Sequence, residues 1–143
     1  LGAQGGTPRA AGRVTIGAMT FHEQYAIAAA VTLAVELPLV LYLARRARLL
    51  RTDARILAAA GAANLLTHPA LWYVPWSFFP AALEPASYPL YVVVGETAVL
   101  LVETLVYWRV LAPGRPWLAL AMSALANASS YGVGMVVWAI LGR

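Results

Sequence analysis

The chain has 143 residues, of which 62% are hydrophobic and only 11% are charged, and its mean hydropathy is +0.72. Soluble globular domains carry about 25% charged residues, so this composition excludes a soluble protein and predicts an integral membrane protein. All ten basic residues, which give the net charge of +4, are arginines. In so apolar a chain their main role is to set orientation in the bilayer, so we expect no nucleic-acid partner. The absence of cysteine excludes disulfides and thiolate metal sites.

Four apolar stretches follow one another, at residues 25–44, 56–74, 89–111 and 117–141. Each approaches or exceeds the roughly 20 residues that cross a hydrocarbon core as a helix. The predicted fold is therefore an all-α bundle of four transmembrane helices, arranged as two helical hairpins at 25–74 and 89–141. Residues 1–24, rich in Gly and Ala and without periodicity, are predicted to be a flexible extracytoplasmic tail. The four spans leave no room for a soluble catalytic domain.

Arginines cluster in two of the three connections. Five lie between Arg45 and Arg55, and the third connection carries Arg109 and Arg115. The positive-inside rule places these two connections in the cytoplasm and both termini outside, and we expect the location to be the inner membrane of a bacterium. This rule does not fit Arg9, Arg13 and Arg143, because they lie in the terminal segments that it places outside. The remaining connection, 75–88, is rich in aromatic residues and proline and is predicted to lie along the outer interface.

The two hairpins resemble each other in sequence. "VELPLVLYL" aligns with "VETLVYWRV", and "AANLLTHP" aligns with "LANASSYG". Each half then carries one mid-span Glu in its first span and an Asn-x-x-Ser/Thr in its second, 28 and 24 residues from that Glu to the Asn. This pattern predicts an internal repeat whose halves are related by an axis along the membrane normal. The alternative is a chance similarity between two Ala- and Leu-rich segments.

Three of the six acidic residues, Glu36, Glu96 and Glu103, fall inside predicted spans. A charged side chain at the bilayer centre costs about 2.5–3.5 kcal/mol even on insertion scales, and such residues are functional by default. Glu96 and Glu103 are seven residues apart and so share one helix face, about 10 Å from each other along the axis. We therefore expect the three carboxylates to face a common wet or ion-filled interior.

The predicted cation or proton site has two layers with supporting residues beside them. The central layer comprises Glu36, Glu103, Asn64 and Asn127; the outer layer comprises Glu96, His68, Ser130 and Tyr131; Thr32 and Thr67 support them. Oxygen ligands suit H⁺ or a hard metal ion, and zinc would take His68 and Glu96. We expect no organic cofactor. For Asn, Ser and Thr, hydrogen bonding between packed helices is the alternative role.

The leading functional hypothesis is translocation or binding of a small cation, H⁺ or a hard metal ion. A second is a non-catalytic subunit that scaffolds a larger membrane complex, in which the polar residues hold partner helices. A third is an intramembrane enzyme that uses Glu and His as acid and base on a lipid-like substrate. The expected partners are the lipid bilayer and either further copies of the chain or other membrane subunits, reached through small-residue faces such as Ala124, Ala128 and Gly132.

Overall fold

The computed structural model describes residues 19–78 and 87–141, and these form four helices. They are α1 (Phe21–Arg46), α2 (Asp53–Phe78), α3 (Tyr88–Val110) and α4 (Pro116–Ile140). The predicted all-α class is confirmed. Helices α1, α3 and α4 are long and apolar enough to cross a membrane. Helix α2 is as long as α1 but is not among them, since polar residues and two prolines interrupt its apolar run.

Helix α1 begins four residues before the sequence analysis places it. Thr20 caps the helix: its Oγ1 accepts a hydrogen bond from Glu23 N at 3.3 Å, and its own N donates to Glu23 Oε2 at 2.6 Å. This capping box satisfies donors at the helix start. The prediction of a flexible tail is therefore wrong for residues 21–24, while residues 1–18 lie outside the described residues.

The boundary between the second helix and the outer connection also differs from the prediction. Helix α2 continues through Pro75 to Phe78, so residues 75–78 are helical rather than part of an interfacial loop. Residues 79–86 of that predicted loop lie outside the described residues. Helix α3 then starts at Tyr88 with Pro89 in its first turn, where the missing proline N–H costs nothing.

The four helices close into an antiparallel ring. Each packs against its neighbours in the chain, α1 also packs against α4, and the described helices make no diagonal contact. Short connections join α1 to α2 and α3 to α4 at the same end, where Arg115 Nη1 donates to the carbonyl of Ala47 at 3.4 Å. Arg45 pairs with Asp53 through both carboxylate oxygens. We call this the arginine end.

Polarity is distributed in the reverse of a soluble protein. Large apolar side chains lie on the outside, with Leu65 69% exposed and Leu101 61% exposed. Glu36 and Glu103 are each only 1% exposed. Near the arginine end the interior is apolar, with a cluster that includes Val40, Ala44, Ile56, Tyr107, Leu111 and Met122. An apolar exterior around a polar centre is the arrangement expected of a bundle surrounded by lipid.

Candidate functional site

A cavity of about 520 Å³ lies between the four helices. It runs from the two buried glutamates to Phe21, Trp72, Tyr88 and Trp138, which lie towards the end of the bundle opposite the arginines. All ten residues predicted for the site line it: Thr32, Glu36, Asn64, Thr67, His68, Glu96, Glu103, Asn127, Ser130 and Tyr131. The structure thus brings the predicted residues together, while their role as a cation site stays a prediction.

Glu36 on α1 is held by two neighbouring helices. Its Oε2 accepts a hydrogen bond from Asn64 Nδ2 on α2 at 2.9 Å, and its Oε1 accepts one from Ser130 Oγ on α4 at 2.6 Å. Both partners are buried, with Asn64 3% and Ser130 7% exposed. Each carboxylate oxygen therefore has one neutral donor.

Glu103 on α3 is held in the corresponding way. Its Oε2 accepts hydrogen bonds from Asn127 Nδ2 at 2.5 Å and Ser123 Oγ at 3.2 Å, both on α4. Its Oε1 accepts one from Thr67 Oγ1 on α2 at 3.4 Å. Each glutamate thus contacts the asparagine of its own hairpin and the hydroxyl of the other. Through α2 and α4 the two carboxylates belong to one hydrogen-bonded layer.

The donors are oriented by their own helices. Asn64 Nδ2 also bonds to the Ala60 carbonyl at 3.2 Å, and Asn127 Nδ2 bonds to the Ser123 carbonyl at 2.9 Å. Thr67 Oγ1 bonds to the carbonyl of the preceding turn at 3.0 Å. Such bonds to the previous turn restrict the side-chain rotamers. The polar groups are consequently pre-positioned towards the carboxylates.

The same register that aligns the two hairpins in sequence also aligns their burial. Shifting α2 onto α4 so that buried Asn64 meets half-buried Asn127 pairs buried with buried residues at five further positions: Ile56 with Ala119, Ala59 with Met122, Ala60 with Ser123, Ala63 with Ala126, and Thr67 with Ser130. Shifting α1 onto α3 so that Glu36 meets Glu103 pairs Val40 with Tyr107 and Ala44 with Leu111. In this alignment Glu96 corresponds to Ala29, so the third glutamate has no counterpart in the first hairpin.

The outer part of the cavity carries Glu96, His68 and an aromatic cluster. The His68 ring lies 6.2 Å from Trp72 in a stacked geometry and 5.5 Å from Tyr25. His68 Nδ1 is buried and has no hydrogen-bond partner in the described structure. Glu96 lines the same cavity as Glu36 and Glu103. All three carboxylates therefore belong to one cavity.

The structure places Ser130 in a different layer from the predicted one. Ser130 was expected in the outer layer, but it bonds directly to Glu36 and belongs to the central layer, because it lies less than one turn from Asn127 on the same face of α4.

Within residues 19–78 and 87–141 no group of three or more His, Asp or Glu side chains could hold a metal ion. Zinc at His68 and Glu96 stays a prediction without a third such ligand there.

Sequence reasoning missed three polar residues around the cavity. Ser123 bonds to Glu103, and its position four residues before Asn127 on one helix face could have revealed it. Tyr107, one turn beyond Glu103, is fully buried, and its hydroxyl has no partner among the described residues. Tyr91 donates its hydroxyl to the Leu71 carbonyl at 2.5 Å. Pro75 has no N–H to donate to the Leu71 carbonyl four residues earlier. The proline could therefore have indicated a carbonyl that needs another donor.

A second, almost wholly apolar groove of about 790 Å³ lies along α2 and α3. Four residues line both this groove and the central cavity: Thr67, Leu71, Tyr91 and Val99. The Leu71 side chain packs directly on Gly95 here, where an added Cβ would lie 2.3 Å from Leu71 Cδ1. The wall between groove and cavity is thus only one side chain thick.

The described charged residues that line the cavity are all acidic. Of the residues that line it within the described chain, three are glutamates and none is an arginine. The arginines of the described chain lie at or beside the two connections of the arginine end instead. Two buried carboxylates, each held by neutral donors from two helices, can accept a proton or ligate a cation. Comparison with protein-family models, with curated proteins and with solved structures finds no match for this chain.

Proposed function

We propose that the chain is a four-span membrane protein that translocates a small cation, H⁺ or a hard metal ion, with Glu36 and Glu103 as the central site. The observation that carries the proposal is the pair of glutamates, each 1% exposed and surrounded by neutral donors only, at the closed end of a cavity. Burying two acids in a bilayer is too costly for packing alone.

The proposal includes α2 as the fourth span. Helix α2 lies between α1 and α3 and has nearly their length. Its polar residues Asn64 and Thr67 point into the bundle, whereas Leu65 and Leu66 are 69% and 60% exposed. Helix α2 therefore has an apolar outer face although its polar residues lower the mean hydropathy of the helix. With the arginine end in the cytoplasm of a bacterium, the cavity would face outward.

Charge supports a cationic occupant. Glu36, Glu96 and Glu103 line the cavity without an arginine beside them in the described chain. Two carboxylates that share a low-dielectric site cannot both remain ionised unless a proton or a cation compensates them. A carboxylate oxygen has two acceptor sites. Both oxygens of Glu36 and Oε1 of Glu103 have one donor each, so each keeps one acceptor site for such an ion.

The closed end of the cavity favours an alternating mechanism over an open pore. One turn beyond the carboxylates, Val40 and Tyr107 are both fully buried and belong to the apolar cluster of the arginine end. An ion that reaches the carboxylates from outside cannot continue past these side chains without a rearrangement. The internal repeat, as part of the proposal, would set Glu36 and Glu103 at equal depth across an axis along the membrane normal.

The scaffold alternative draws no support from the carboxylates. Side chains that grip partner helices would point outward, whereas Glu36 and Glu103 find all their hydrogen-bond donors within this chain. Lipid-facing residues such as Leu90 and Val93 remain free to form contacts between copies of the chain. A homo-oligomer is therefore compatible with the proposed transport.

The test is flux into proteoliposomes that contain the purified chain. We expect a proton or divalent-cation flux that Glu36→Gln and Glu103→Gln each abolish. Glu23→Gln is the matched control, because it neutralises an exposed acid on α1 and Gln still completes a capping box. Size-exclusion profiles and helical circular dichroism check that each variant folds. Wild-type flux in the folded Glu36→Gln/Glu103→Gln variant would overturn the proposal.

A further inference from the structure

The cavity is much larger than a small inorganic ion requires. A metal ion with six waters occupies about 200 Å³, taking roughly 30 Å³ for each water, whereas the cavity measures about 520 Å³. Pockets for organic molecules range from about 300 to 1,000 Å³. The volume therefore fits an organic molecule better than a hydrated metal ion.

The walls of the cavity also favour an organic occupant. Aromatic rings line its outer part, namely Phe21, Trp72, Tyr88, Tyr91, Tyr131 and Trp138, and aliphatic side chains such as Ile27, Val31 and Leu71 lie between them. Apolar walls offer nothing to a hydrated ion, but they stabilise an apolar body at about 25 cal/mol per Å² of buried area. The faces of aromatic rings in addition attract a positive charge.

Two of the three carboxylates lie at the other end of the same cavity. Glu36 and Glu103 lie at its closed end, and Glu96 lies between them and the aromatic residues. The buried, unpartnered Nδ1 of His68 marks a further polar group without a ligand from the described protein. A molecule that matches this gradient has a cationic group at one end and an apolar body at the other.

The outer groove on α2 and α3 suits the same class of molecule. It is almost entirely apolar, and Thr67, Leu71, Tyr91 and Val99 separate it from the central cavity. A lipophilic cation partitions into the bilayer, where this groove would receive its apolar part. Displacement of one side chain would then connect the groove with the carboxylates.

We propose that the natural substrate of this site is a lipophilic organic monocation, whose charged group lies at Glu36 and Glu103 and whose apolar body packs against the aromatic wall of the cavity. This inference rests on the proposed function, since it names the cation for which the two carboxylates provide the site. It adds an organic substrate to the H⁺ form of the proposed function, with H⁺ and the organic cation competing for the same two carboxylates.

The test is equilibrium binding of tetraphenylphosphonium to the purified full chain in detergent. We expect saturable binding with one site per chain, unchanged in Glu23→Gln and at least tenfold weaker in Glu36→Gln and in Glu103→Gln. Tetraphenylborate, which has the same shape and the opposite charge, should neither bind at this site nor displace the phosphonium ion. Trp72→Leu should weaken binding by about threefold to tenfold, because it removes an aromatic face from the wall.

Two results would overturn the inference. One is a folded wild-type chain that does not bind tetraphenylphosphonium saturably; the other is binding that the glutamine variants or tetraphenylborate leave unaffected. Flux measurements separate this failure from failure of the proposed function. If the glutamates control proton or metal-ion flux without phosphonium binding, the proposed function stands and the organic substrate does not. If they control phosphonium binding but no cation crosses the membrane, the site is a receptor and translocation is wrong.

Discussion

Replacing each of the two site asparagines by leucine should have unequal effects on stability. Asn64 and Asn127 occupy corresponding positions, and each donates to a buried glutamate and to the carbonyl of its own preceding turn. After Asn127→Leu, Glu103 Oε2 keeps the donor Ser123 at 3.2 Å. After Asn64→Leu, Glu36 Oε2 has no donor left among the described residues. The Asn64–Glu36 bond, at 2.9 Å, therefore contributes more to stability than the Asn127–Glu103 bond, at 2.5 Å.

The magnitude follows from what each carboxylate loses. Interhelical hydrogen bonds in membranes average about 0.6 kcal/mol, whereas a bond to a charged group contributes about 1.5–3 kcal/mol. We expect Asn64→Leu to lower the free energy of unfolding by about 2 kcal/mol and Asn127→Leu by about 1 kcal/mol. Leucine has the same number and branching of side-chain heavy atoms as asparagine, so a cavity does not add to the loss.

The assay is reversible unfolding in mixed micelles, followed by circular dichroism as the fraction of denaturing detergent increases. Ser129→Ala is the control on α4, because it removes a hydroxyl that neither carboxylate uses. A double-mutant cycle of Asn64→Leu with Glu36→Met, which has a similar length and no amide or carboxylate oxygen, isolates the pairwise energy, which we expect to be about 1–2 kcal/mol. Equal losses for the two asparagines, or a larger loss for Asn127→Leu, would refute the reasoning.

Three further comparisons test the packing around the cavity in the same unfolding assay. Tyr107→Phe should leave stability unchanged or raise it by up to about 1 kcal/mol, since the buried hydroxyl has no partner in the described structure; a loss above 1 kcal/mol would show that the hydroxyl is bonded. Tyr91→Phe should cost about 1 kcal/mol, and much less when combined with Pro75→Ala, which returns a helical donor to the free carbonyl; equal costs in both backgrounds would contradict this pairing. Gly132→Ala, with open space around its Cβ position, should stabilise by up to about 1 kcal/mol through helix propensity, whereas Gly95→Ala should lose much of this gain, because its Cβ displaces the end of the Leu71 side chain; an equal gain at both glycines would show that Leu71 does not pack on Gly95.

The fold was predictable from sequence as far as long apolar runs define helices. Four helices appear where the four apolar stretches lie, because each stretch is too long and too apolar for anything else. Helix ends were less predictable. Thr20 and Glu23 form a capping box that moves the start of α1 to Phe21. Pro75 lies inside α2 rather than at its end, and Tyr91 bonds to the carbonyl that this proline frees.

The residues of the site were predictable for a physical reason. A polar side chain in an apolar helix has only the bundle interior to occupy, so Glu36, Glu103 and their asparagines had to converge. Periodicity could not give the hydrogen-bond partners. Ser130 reaches Glu36 on the far hairpin rather than an outer layer, and this depends on how α1 packs on α4.

The size and closure of the cavity could not be predicted from the pattern at all. They depend on which side chains from four helices fill the centre at each level. At the level of Val40 and Tyr107 the residues fill it, and around Thr32 and Glu96 they leave space. Such volumes emerge only from packing across helices, which single-helix periodicity does not describe.

The central claim is that Glu36 and Glu103 form a single site, and the most direct measurement of it is the non-additivity of their flux effects. Groups that act as one unit lose nearly all activity when either is removed, so the second removal adds little. We predict that proteoliposomes with Glu36→Gln, with Glu103→Gln and with both show the same residual cation flux, while Glu23→Gln retains the wild-type rate. Independent partial losses that multiply in the double variant would contradict a shared site.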